Sequence, residues 1–142
     1  MWGHAFFKIY FNARFKPDCV DRFQDMILAL DHLQIAIPKG SEDTVRPFYF
    51  ALGFQEVPKP VALAGRGGFW AVCGALNLHV GVDPKFAPAT KAHPAFVMAD
   101  LDEVVTRLEQ LSHAVKWDTK LIDVRRCFAS DPVGNRVELI AG

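Results

Sequence analysis

The chain has 142 residues, 51% hydrophobic and 23% charged, with 16 Lys plus Arg matched by 16 Asp plus Glu. This length and balance suit a single soluble domain with its own core and argue against disorder. A net charge of zero supplies no global positive field, so neither nucleic acid nor an anionic membrane is an expected partner.

Cys19, Cys73 and Cys127 are odd in number and form no CxxC or CxxxC pair, the usage of reduced, structural thiols inside a cell. No apolar stretch approaches the ~20 residues of a bilayer span. Lys8 interrupts Ala5-Phe6-Phe7 before a signal-peptide core forms, so the cytoplasm is the expected location.

Residues 1–25 hold Phe6, Phe7, Phe11, Phe15 and Phe23 among scattered charges with no clear period. They read either as an added strand or arm that packs on the domain or a partner, or as an N-terminal extension outside the functional unit. The second reading is preferred, and the domain proper is placed at 26–142.

From Leu30 the pattern sharpens. Asp31-His32-Leu33-Gln34-Ile35-Ala36-Ile37 alternates polar or small residues with large apolar ones, which predicts a half-buried strand. Pro38-Lys39-Gly40 ends it. Ser41 and the acids Glu42 and Asp43 then open a helix in which Val45, Phe48, Tyr49 and Leu52 recur at helical spacing until Gly53. Strands are predicted at 54–57, 68–73 and 76–82, the last two joined by a tight turn at Gly74-Ala75. Pro58, Pro60, Gly65, Gly67 and Gly68 mark a loop between the first two, and Pro84 and Pro88 mark a linker at 83–91.

The series then restarts. A strand is predicted at 93–99, followed by a helix behind the capping Asp100 with Leu101, Val104, Val105, Leu108 and Leu111 on one face. Strands at 115–117, 126–130 and 136–140 complete it, with Asp131-Pro132-Val133-Gly134-Asn135 as the final turn. The order β-α-β-β-β thus occurs twice, in modules at 30–82 and 92–142, and this internal repeat is the most informative feature of the sequence. Matching the first strands places His32 on His93; matching the last places His79 on Glu138.

Side chains alternate faces along a strand. His32 falls with Gln34 and Ala36, away from Leu33, Ile35 and Ile37. His79 falls with Asn77 and Gly81, and Glu138 points away from Val137 and Leu139. All four are expected on a concave polar face, opposite the helices. A single strand histidine is usually a hydrogen-bonded residue, but four matched positions favour an ion. Imidazole and carboxylate suit Zn, Ni, Co, Mn or Fe(II), and two His with one carboxylate leave positions open for substrate. His32, His79, His93 and Glu138 are therefore the candidate metal ligands, with His79 and Glu138 the candidate catalytic residues. Arg66, Lys91, Arg126 and Trp70 are candidates to face the substrate. Parity sends only one of Arg125 and Arg126 toward a cavity; Phe69 and Trp117 are possible walls, and His4 and His113 read as ordinary surface or core residues.

Three stretches, Leu30-Asp31-His32-Leu33-Gln34-Ile35-Ala36, Phe48-Tyr49-Phe50-Ala51-Leu52-Gly53-Phe54 and Asp131-Pro132-Val133-Gly134-Asn135-Arg136-Val137-Glu138-Leu139, resemble the vicinal oxygen chelate superfamily. Its members include glyoxalase I, extradiol dioxygenases, methylmalonyl-CoA epimerase, fosfomycin-resistance enzymes and bleomycin resistance proteins. The resemblance covers Met26 to Gly142. It implies an α+β fold of two βαβββ modules, each a curved mixed sheet or half-barrel around a central cavity, with helices outside. It implies metal ligands at His32, His93 and Glu138. His79 stands where glyoxalase-like members carry Glu or Gln, a departure that counts against glyoxalase I activity itself. The implied function is a metal-dependent enzyme that chelates two neighbouring oxygens of a small substrate, of lyase, isomerase or dioxygenase type. The alternative is a metal-free small-molecule or drug-binding resistance protein using the same cavity. A homodimer is expected, since such half-barrels often pair across chains, although this chain carries both modules.

Overall fold

The computed structural model describes residues 27–142, and Asp31–Gly142 form one compact unit. The expectations for 1–25, His4 and Cys19 lie outside the described residues. The first module comprises β1 (Leu33–Ile37), α1 (Glu42–Ala51), β2 (Gln55–Val57), β3 (Phe69–Cys73) and β4 (Leu76–Val82). The second comprises β5 (Ala95–Met98), α2 (Leu101–Gln110), β6 (Val115–Asp118), β7 (Arg126–Ser130) and β8 (Arg136–Ala141). Each forms a four-stranded mixed sheet, ordered β1-β4-β3-β2 and β5-β8-β7-β6. In each, the first strand lies parallel to the last, a pairing that needs a long connection and receives one from the helix and the two strands between them. The two sheets stay separate and do not close into a barrel.

Strand alternation sends one face of each sheet into the core. Ile35, Ile37, Phe69, Ala71, Leu78 and Val80 are buried in one cluster with Val45, Phe48 and Tyr49 of α1. Cys127, Ala129, Val137 and Leu139 join it with Leu101, Val104, Val105 and Leu108 of α2. Each large aliphatic so buried contributes about 1.5–3 kcal/mol relative to exposure.

Local chemistry sets the ends of the elements. Asp100 caps α2 by accepting from the Glu103 amide at 2.9 Å. Ser41 occupies the same place before α1 but donates its hydroxyl to the Pro38 carbonyl and makes no side-chain cap bond. The stretch expected to be an irregular loop contains a 3-10 helix at Val61–Arg66. The strand expected from His93 begins only at Ala95. Pro94 has no N–H for the ladder, though its carbonyl still accepts from the Glu138 amide at 2.9 Å.

The turn before β8 ties the modules together. Asp131 is buried at 4% exposure and its carboxylate accepts from the amides of Val133 and Asn135, from the Asn135 side chain and from the Tyr49 hydroxyl of α1. The Asn135 side chain also donates to the Ala36 carbonyl of β1 at 2.9 Å. Burial, with Asp131 alongside, pushes the Tyr49 hydroxyl pKa well above its ordinary value, so it stays a donor.

Candidate metal centre

The register carries each candidate ligand to a matched place. His79 on β4 lies opposite Gln34 of β1 and Trp70 of β3. Glu138 on β8 lies opposite Ala95 of β5 and Phe128 of β7. His32 and His93 each precede by two residues the β1 or β5 partner of that central position, so each histidine shares a face with His79 or Glu138.

The surroundings differ between modules. In the first, β4 runs between β1 and β3, and His79 lies between two rings. Its imidazole is 3.8 Å from Trp70, tilted by 5°, and 4.1 Å from His32, tilted by 22°. Desolvation, then the neighbouring His32, hold the His79 pKa below the usual imidazole value of 6.5. In the second module the contacts are polar, and one is an ion pair. His93 Nε2 lies 3.2 Å from Glu138 Oε2, and Arg126 Nη1 donates to Glu138 Oε1 at 2.7 Å. Glu138 is only 7% exposed although it points away from the aliphatic core, because these partners cover it.

His32 and His93, each just ahead of its module's first strand, both have Nδ1 in polar contact. His32 Nδ1 donates to Asp31 Oδ1 at 2.7 Å. His93 Nδ1 lies 2.8 Å from the Lys91 carbonyl oxygen, which accepts from Arg136 Nη2, and 3.0 Å from that same Nη2. A neutral imidazole whose Nδ1 donates, as the Asp31 carboxylate favours for His32, keeps the Nε2 lone pair for an ion. Nε2 of His93 lies 3.2 Å from Glu138 Oε2, so the two potential ligand atoms are adjacent. Ligands bound to one ion at 2.0–2.1 Å lie roughly 2.9–3.4 Å apart, so the pair fits two adjacent corners of a coordination shell. A borderline divalent ion suits this imidazole and carboxylate set.

Within one chain the four side chains form two pairs, His32 with His79 and His93 with Glu138. Among the described residues, no three His, Cys, Asp or Glu side chains group around a point that could hold an ion. A cavity of about 380 Å³ opens beside His93, lined also by Gln34, Ala36, Phe86, Asn135 and Arg136. Arg66 and Lys91 are exposed and do not border it. Trp70 and Arg126 lie instead against His79 and Glu138. Parity separates the adjacent arginines: Arg125 pairs with Asp102 of α2, whereas Arg126 joins Asp118 and Glu138 on the open face. Phe69 is core, Trp117 is 42% exposed beneath Arg125, and His113 packs edge-on against Phe48. Sequence reasoning missed Asp118, whose place depends on a hairpin register, and Arg136, which flanks His93. The Asp31-His32 dipeptide was a readable signal for the Nδ1 partner.

A crystal structure of a Bacillus anthracis protein assigned to the glyoxalase family matches 84% of this chain and 98% of its own, at 41% identity and a TM-score of 0.78. The chain belongs to the glyoxalase family of the vicinal oxygen chelate superfamily. The fosfomycin resistance protein FosX from Listeria monocytogenes shares the fold at 18% identity, a TM-score of 0.66 and coverage of 82% and 95%. Lactoylglutathione lyase from Agrobacterium tumefaciens does so at 21%, 0.62, and coverage of 82% and 95%. No protein-family model and no curated protein matches the chain. Among the described residues no helix is long and apolar enough to cross a membrane.

Proposed function

We propose that this glyoxalase-family chain is a metal-dependent enzyme acting on a small oxygenated substrate, of lyase, isomerase or dioxygenase type. The observation that carries this reading is the buried Glu138 carboxylate 3.2 Å from Nε2 of His93, an imidazole and a carboxylate held side by side. His93, Glu138 and His32 would hold a divalent ion such as Zn, Ni, Co, Mn or Fe(II), and His79 is the candidate fourth ligand. When bound, the ion supplies Lewis acidity toward two neighbouring substrate oxygens.

The chain's own residues do the rest. Lys91 and Asp31 fix the ring orientation of His93 and His32 through Nδ1. His79, held neutral by desolvation and His32, is suited to accept a proton from substrate near neutral pH. Glu138 is the other candidate base. Trp70 and Arg126 on the open faces, with the exposed Arg66 and Lys91, are the proposed substrate contacts. The free thiols of Cys73 and Cys127 support a cytoplasmic setting.

Because one chain presents two separate pairs, the complete ligand set is proposed to form in a homodimer, with His32 from one copy meeting His93 and Glu138 of the other. The open edges of β1 and β5, each at the end of its sheet, support such pairing. Elemental analysis of protein purified without added metal tests the reading. Near-stoichiometric metal, lost in His93→Ala and Glu138→Ala, is expected; a metal-free wild type with intact ligand binding would establish a binding protein instead. Oxygen consumption with Fe(II) separates a dioxygenase from an isomerase or lyase.

A further inference from the structure

The two modules match strand for strand, and the register extends the match beyond the candidate ligands. Trp70 opposes His79, and Phe128 opposes Glu138. Two residues earlier, the first module has Gly68, just ahead of β3, and the second has Arg126, the first residue of β7. Gly68 cannot be exchanged for a longer residue: its φ is +70°, and a Cβ there would lie 2.0 Å from the Val80 carbonyl oxygen. The repeat therefore carries an arginine where the central strand bears a carboxylate, and bare backbone where it bears His79.

Arg126 is itself fixed. It is the cross-strand partner of Asp118, whose Oδ2 accepts from Arg126 Nε at 2.9 Å and from Nη2. Arg126 also lies over the Phe128 ring, 5.5 Å from its centroid. Arg126, Asp118 and Glu138 have side-chain exposures of 20%, 13% and 9%. From that anchored position Nη1 donates to Glu138 Oε1 at 2.7 Å, while Oε2 is left to His93.

We propose that Arg126, braced by Asp118, is a positioning residue that occupies one oxygen of Glu138 so that the carboxylate offers only Oε2 to an ion. Monodentate binding by Glu138 keeps a coordination position open for substrate. A free carboxylate can close that position by binding through both oxygens. This deepens the metal-enzyme reading and rests on it.

Co(II) titration of the purified full chain tests it, since the visible bands of Co(II) weaken as coordination number rises. Wild type is expected to bind Co(II) with the stronger bands of an open, low-coordinate site. Arg126→Gln is expected to retain Co(II) with weakened bands and roughly ten-fold lower affinity, as for loss of an outer hydrogen-bond partner. Arg126→Lys should restore part of the band intensity. Asp118→Asn, which leaves both Arg126 and Glu138 in place, should shift the spectrum in the same direction by less. Wild-type spectrum and affinity in both Arg126→Gln and Asp118→Asn would overturn the proposal while leaving the metal reading intact. A wild type that binds no Co(II), Zn(II) or Fe(II) would overturn both.

Discussion

The two modules share one backbone plan and use its central open position in opposite ways. In the first, His79 lies between Trp70 and His32, and the interactions are those of stacked rings. In the second, Glu138 sits in a run of polar contacts from Asp118 through Arg126 to His93. The difference shows how a repeat diversifies. Strand register fixes where a central side chain points, while residues on the neighbouring strands decide whether that place suits a neutral ring or an anion. A buried anion requires charged hydrogen-bond partners, and a carboxylate in the first module would find Trp70 and the bare Gly68 beside it.

The sharpest way to break the contrast is to remove the anion. Glu138→Ala should lower metal affinity by at least about 100-fold, as expected when a ligand rather than an outer partner is lost. The same measurement, competition with a chelator, should show a lesser loss for His79→Ala, because His93 and Glu138 remain.

Next in size is a matched pair of substitutions, read by denaturant unfolding of the metal-free protein. Gly68→Ala should cost about 3 kcal/mol, combining a positive φ with a Cβ driven into the Val80 carbonyl. Arg126→Ala, at the equivalent place, has no such clash. It should cost less in unfolding and more in metal affinity, and equal unfolding losses would dissolve the distinction between the modules.

A smaller effect separates the modules by pH. The His79 pKa lies below 6.5 in the fold, so the unfolded chain takes up that proton first. Stability of the metal-free protein should therefore be level above about pH 6.5 and fall as pH drops through it, flattening below the folded value. His79→Gln should remove that part of the acid slope, seen by unfolding at a series of pH values.

The smallest effect concerns the helix ends. Gly53 closes α1 at φ +101°, whereas Ser112, at the same place after α2, carries φ +63° with a side chain. Ser112→Gly should raise stability by up to about 1 kcal/mol, measured by thermal unfolding.

Much of this fold was legible because period-two and helical patterns are local. The doubled βαβββ order, the capping Asp100, and the faces of His32, His79 and Glu138 all follow from such patterns. The start of β5 did not, since Pro94 removes a ladder donor where the apolar alternation alone continues to His93. The hydrogen bonds around Asp131 were visible only as turn chemistry, although they join the modules through Tyr49 and Ala36. The division of the candidate ligands into two pairs depends on how the sheets stand in space, which no strand pattern encodes. Arg126 was readable as a cation on the open face, yet its tie to Asp118 required a register across the 119–125 loop.

The most direct measurement is a mixing experiment with two variants, His32→Ala and Glu138→Ala, each lacking metal on its own. If two copies complete each site together, exchange of subunits should bring back metal, at roughly a quarter of the wild-type content for random pairing in a twofold dimer. A mixture as empty as its parents would contradict a shared site, and parents that each keep a full complement of metal would contradict these ligands altogether.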